Sequence, residues 1–206
     1  MNARKQPARR RLWTVPNLLT ILRIALTGPF LFFITAGRFA AALAIFFLAG
    51  VTDFLDGYAA RKLNQQSDLG RLLDPLADKL LTAAGFVVLA IPHEGFSAIP
   101  IWVAATVIGR DALILLGSVV IYAAIRFTGF KPSLLGKANT LIEMGVIVLF
   151  LTFNALGALT FLLPVAYWIV VTSVLASGIE YGIRGVSILR AQPQGERSAG
   201  SKDRVR

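Results

Sequence analysis

Of 206 residues, 56% are hydrophobic, 16% are charged and none is cysteine. A chain this apolar is not an ordinary soluble domain of its length, and without cysteine it has no disulfide framework, thiolate nucleophile or thiolate metal site. The formal charge of +10 gathers at the chain ends and in particular loops, a pattern that points to anionic lipid rather than nucleic acid as partner.

Residues 1–15 contain Arg4, Lys5, Arg9, Arg10 and Arg11 with no acid. Lacking an apolar core and a small-residue cleavage site, they read as a basic cytoplasmic tail, not a signal peptide. A membrane-spanning helix takes about 20 apolar residues. By that measure six spans are predicted, at about 16–36, 39–61, 71–91, 98–126, 135–157 and 160–190. Pro16 suits a helix start, and Pro29 is expected to bend the first span. The loops around Gly37, from Pro92 to Pro100 and from Asn154 to Ala158 hold Arg38 as their only basic residue besides His93. The opposite loops hold Arg61, Lys62, Arg126 and Lys131, with Arg71 and Lys137 close by. This asymmetry places both termini in the cytoplasm. His93, in a short loop, reads as solvated. Residues 191–206 read as a disordered basic tail. The predicted fold is therefore an all-α, polytopic bundle of six transmembrane helices at residues 16–190. Gly178 and Gly182 suit a homodimer face and close packing within one bundle about equally.

The segment from Asp53 to Asp78 carries the chemistry. Asp53 and Asp56 are three residues apart, Asp74 and Asp78 four, so each pair shares a helix face. The short 61–70 connection makes the second and third spans antiparallel neighbours, which would let the four carboxylates converge near the cytoplasmic surface. Packed carboxylates raise one another's pKa, and acids in membrane segments are costly and usually functional. Hard divalent cations such as Mg²⁺ or Mn²⁺ relieve both problems. Gly57 and Ala60 keep bulk off this face, and Arg61 suits a phosphate.

The pattern Asp53-x2-Asp56-Gly57-x2-Ala60-Arg61-x8-Gly70-x3-Asp74-x3-Asp78 resembles the complete signature of the CDP-alcohol phosphatidyltransferases. Pro16-Asn17-Leu18-Leu19-Thr20 with Arg23 extends the resemblance. It implies that Asp53, Asp56, Asp74 and Asp78 hold two Mg²⁺ or Mn²⁺ ions. It also implies that Asp78 is the general base, and that Asp56, Gly57, Ala60, Arg61, Gly70 and Asp74 bind the CDP-diacylglycerol donor. The expected enzyme is an integral protein of the cell (inner) membrane with its site facing the cytoplasm.

The acceptor lies outside the signature. Arg110 and Lys137 are the candidates for an acceptor phosphate. Glycerol 3-phosphate is the expected acceptor, as in phosphatidylglycerophosphate synthases. Phosphatidylglycerol, the acceptor of CMP-forming cardiolipin synthases, is the alternative, since Arg110-Asp111, Lys131-Pro132-Ser133 and Lys137-x-Asn139-Thr140 look more like that branch. Lys79 reads as charge balance. Arg110 and Asp111 read as a candidate structural pair, although neighbours on a helix do not face each other, and Glu143 reads as a polar group facing the bundle. Two other readings rank lower. An intramembrane prenyltransferase differs in Asp spacing and span count. A divalent-cation transporter would place its acids near the bilayer midplane on broken or repeated helices.

Overall fold

The computed structural model describes residues 15–63, 68–93, 96, 98–125 and 133–190. They form six α-helices in chain order: α1 (Val15–Thr35), α2 (Phe39–Leu63), α3 (Asp68–Ala90), α4 (Ile101–Ile125), α5 (Leu134–Leu156) and α6 (Leu163–Arg190). Each corresponds to one predicted span. Three stretches, Leu18–Thr35, Leu134–Leu156 and Thr160–Ser187, are long and apolar enough to cross a membrane. In α2 and α3 the apolar part is shorter, Phe39–Asp53 and Lys79–Ala90, because the charged signature occupies the facing ends of both helices.

The helix ends follow from local chemistry. α1 runs unbroken through Pro29. α4 starts at Ile101 rather than 98 because Ile99 precedes Pro100, which disfavours helical dihedrals, and its N–H donates to Leu89 O at 2.8 Å. Ser133 caps α5 by accepting from Gly136 N–H, and the helix ends on Gly157 at φ 63°, a left-handed position that glycine takes without a Cβ clash. A short 3₁₀ turn, Thr160–Leu162, leads into α6.

The bundle is two trios. α1 packs against both α2 and α3, while α6 packs against both α4 and α5. The apolar seam between the trios runs from α2 to α5, where Phe39 and Phe150 meet edge to face at 6.3 Å. Phe96, in the α3–α4 loop, closes the cluster 5.1 Å from Phe39 and stacks on His93 at 5.4 Å. The ends of α2 and α3 where direct pairing is expected have side chains outside the described set; among the described residues both helices pack chiefly on α1. The reason is the buried stripe of α1, Thr20, Arg23, Thr27, Phe30 and Ile34, whose alternating spacing of three and four presents one continuous face to two neighbours. Many large apolar side chains, among them Phe47, Leu113, Leu116, Trp168 and Ile183, point outward instead. Polar groups inside and apolar groups outside suit a protein solvated by lipid.

Candidate functional site

Asp53, Asp56, Gly57, Ala60 and Arg61 lie on the C-terminal part of α2, and Gly70, Asp74 and Asp78 on the N-terminal part of α3. The signature thus occupies the two helix ends that the 64–67 connection joins. Of these residues, Asp53 has a described side chain; those of Asp56, Gly57, Ala60, Arg61, Gly70, Asp74 and Asp78 fall outside the described set.

Asp53 is held from beneath. Arg23 Nη2 of α1 lies 2.7 Å from Asp53 Oδ1, with Arg23 1% exposed and Asp53 40% exposed. A guanidinium buried in a membrane bundle demands a counter-charge, and Asp53 provides one while keeping part of its carboxylate open. Thr27 Oγ1 donates to Arg23 O at 3.2 Å, tying the turn that carries the arginine. No helix-propensity or periodicity rule pairs residues 23 and 53; their contact exists because α1 packs on α2.

A second polar cluster lies where α3, α4, α5 and α6 meet. Lys79 Nζ is 2.6 Å from Asp111 Oδ2 and 3.6 Å from Glu143 Oε2. Asp111 Oδ1 accepts from Arg110 Nη1 at 2.7 Å. Arg110 Nη2 donates to Ser177 Oγ, and its Cζ stands 5.6 Å from the centre of the Tyr181 ring. Glu143, with no exposed surface, accepts from Asn139 Nδ2, whose Oδ1 in turn accepts from Ser173 Oγ. Each cation therefore faces at least one carboxylate.

Arg110 and Asp111 are a structural pair, because the arginine stem is long enough to fold its guanidinium back over the neighbouring residue. Glu143 is the polar group facing the bundle that the sequence suggests, and with Asn139 it is a core member of the network. Their signal in the sequence is the match between Asn139/Glu143 on α5 and Ser173/Ser177 on α6, two polar pairs at helical spacing in otherwise apolar stretches. Lys137 is exposed on α5, and the described contacts do not join it to Arg110. Gly178 sits against Arg110: a Cβ there would meet Arg110 Cγ at 3.8 Å, whereas one on Gly182 meets nothing within 4 Å. Gly178 is thus used for packing within the bundle.

The donor chemistry suits a hard divalent cation, since Asp53 offers a partly exposed carboxylate and aspartate oxygens are the ligands Mg²⁺ and Mn²⁺ prefer. Among the described residues no group of three or more His, Cys, Asp and Glu converges, as the side chains of three of the four signature aspartates fall outside the described set.

Residues 13–178, which include both the signature helices and all of the second cluster but Tyr181, match the family model for CDP-alcohol phosphatidyltransferase. The chain belongs to that family. It is 30% identical over 181 residues to the CDP-diacylglycerol–glycerol-3-phosphate 3-phosphatidyltransferase of Aquifex aeolicus, covering 85% of this chain and 97% of that protein. It is 35% identical over 167 residues to the CMP-forming cardiolipin synthase of Streptomyces coelicolor, covering 77% and 74%. A cardiolipin synthase/hydrolase fusion protein of Schizosaccharomyces pombe is 34% identical over 202 residues, and the chain spans 32% of its length. The matched stretch contains the signature aspartates of α2 and α3, and the relatives are of two kinds, glycerol-3-phosphate phosphatidyltransferases and CMP-forming cardiolipin synthases.

Proposed function

We propose that the protein transfers a phosphatidyl group from CDP-diacylglycerol to the hydroxyl of a glycerol-type acceptor and releases CMP. The observation that carries this reading is Asp53, the first carboxylate of the family signature, set on the buried Arg23 at 2.7 Å yet 40% exposed. A side chain kept for structure alone would not need that opening where the joined ends of α2 and α3 carry three further signature aspartates.

In this reading Asp53, Asp56, Asp74 and Asp78 hold two Mg²⁺ or Mn²⁺ ions, which when bound neutralise the pyrophosphate and the charge developing on the leaving phosphate. Asp78 accepts the proton of the acceptor hydroxyl. The acceptor oxygen forms the new bond to the lipid-linked phosphorus as the bond to CMP breaks. Arg61 offers a two-pronged contact to the departing phosphate. Gly57, Ala60 and Gly70 leave room for the nucleotide, and Asp56 and Asp74 also bind the donor. The basic loops and termini support a site on the cytoplasmic side of the cell (inner) membrane.

Glycerol 3-phosphate leads as acceptor because relatives named for it match over nearly their full length, 97% of the Aquifex aeolicus protein and 94% of the Bacillus subtilis one. One observation favours phosphatidylglycerol as a second reading. Lys79 and Arg110 are already countered by Asp111 and Glu143, leaving little surplus charge there for a phosphate dianion. The test is CMP release by purified protein given CDP-diacylglycerol, Mg²⁺ or Mn²⁺, and one acceptor at a time: glycerol 3-phosphate, phosphatidylglycerol, serine or inositol phosphate. Release with either glycerol acceptor, abolished by EDTA, is expected. No release with any acceptor overturns the reading.

A further inference from the structure

The two trios of helices divide the proposed chemistry between them. α1, α2 and α3 carry the signature, while α4, α5 and α6 carry the polar cluster around Arg110 and Glu143. α3 meets α4 and α5 far less extensively than it meets α1, so side-chain bonds carry much of its registration against the second trio. Lys79 makes those bonds. Its ammonium lies 2.6 Å from Asp111 on α4 and 3.6 Å from Glu143 on α5. Both acids are themselves braced, Asp111 by Arg110 and Glu143 by Asn139, and through them by Ser177 and Ser173 of α6.

Lys79 directly follows Asp78 and stands five positions after Asp74. We propose that Lys79, clamped between Asp111 and Glu143, is a positioning residue that sets the rotation of α3 and so the placement of Asp74 and Asp78. The inference rests on the phosphatidyltransferase reading of those aspartates. Its physical basis is leverage. A carboxylate carried about 5 Å from a helix axis moves about 0.9 Å when the helix turns by about 10°, and a displacement near 1 Å at a reacting group can cost about 100-fold in rate. Packing of α3 on α1 sets no preferred direction through its apolar contacts. Lys79 adds ion pairs to two different helices, 2.6 Å to Asp111 and 3.6 Å to Glu143, and because their strength falls with distance they oppose a rotation that carries the ammonium away.

The alternative is that Lys79 merely neutralises two buried acids. Charge arithmetic separates the two. Lys79→Met leaves Asp111 and Glu143 with one cation, Arg110, between them. Lys79→Met combined with Glu143→Gln removes one charge of each sign and leaves the Arg110–Asp111 pair balanced. The measurements are kcat and KM for donor and acceptor in CMP release, together with the thermal midpoint in detergent. With Lys79 as a positioning residue, Lys79→Met lowers kcat about 100-fold while the donor KM stays within about twofold of wild type. The double variant regains the wild-type thermal midpoint but stays at least about tenfold down in kcat, and Lys79→Arg recovers much of the rate. A double variant with both the midpoint and kcat of wild type overturns the proposal, as does a folded Lys79→Met protein at full rate. If Lys79→Met does not fold, the double variant and Lys79→Arg decide. Wild-type protein that releases no CMP at all instead brings down the enzyme reading, and the clamp with it.

Discussion

The Arg23–Asp53 pair carries an asymmetric prediction. Arg23 is 1% exposed and Asp53 40%, so the cost of breaking the pair depends on which partner is left behind. Asp53→Asn removes a carboxylate that lies 2.7 Å from a guanidinium that water does not reach. Breaking a buried pair in this way costs about 3–5 kcal/mol, and the exposure of Asp53, together with the further interaction that Arg23 keeps, reduces that to about 2–4 kcal/mol. Arg23→Met keeps much of the apolar stem and leaves a carboxylate that can hydrate, so about 1 kcal/mol is expected. For a protein of this size about 1 kcal/mol shifts the midpoint by roughly 2–4 °C. Asp53→Asn should therefore unfold about 4–16 °C lower than wild type and Arg23→Met only about 2–4 °C lower. The double variant should lie near Arg23→Met, with a coupling of at least about 1 kcal/mol. Thermal unfolding in detergent with EDTA, followed by tryptophan fluorescence, measures all three without a contribution from bound metal. Arg23→Met proving as costly as Asp53→Asn would refute the burial argument.

Other outcomes test separate parts of the molecule. Asp78→Asn should lower CMP release by about 100-fold or more while Mn²⁺ binding persists, as measured by calorimetry; undiminished turnover removes Asp78 as the base. Gly136→Ala places a Cβ 2.9 Å from Tyr181 Oη and 3.1 Å from Ser133 Oγ, so about 1–3 kcal/mol is lost. Tyr181→Phe in the same chain should return part of it, and a Gly136→Ala protein as stable as wild type would show that the α5–α6 contact yields freely. Because the chain has no cysteine, single cysteines report topology directly. One at Gln65 should react with an impermeant maleimide only from the cytoplasmic side and one at Arg38 only from the opposite side; the reverse labelling overturns the orientation.

Local patterns made much of this protein legible. About 20 apolar residues at a time, punctuated by Pro16, Pro100 and Gly157, mark six helices to within a few residues, because helix length and end chemistry are local properties. The aspartate signature was equally plain, as acids at fixed spacing in apolar helices stand out against their cost. Less legible was anything that depends on which helices touch. Sequence proximity suggested that α2 and α3 are neighbours, but that α1 also packs against both, through the buried stripe from Thr20 to Ile34, is a matter of tertiary packing. The partner of Arg23 is 30 positions away in the chain, and Lys79 answers Asp111 and Glu143 across two further helices.

The chain's own spacing thus determined the helices, the donor signature and the sidedness of charge, all of which arise from neighbours within a few turns or from transfer between water and lipid. Only the tertiary structure decided that Arg23 underlies Asp53 and that Lys79 ties the signature helix to the second trio. Ion pairs between helices depend on rotation and packing, and no periodicity within one helix encodes the face its neighbour presents.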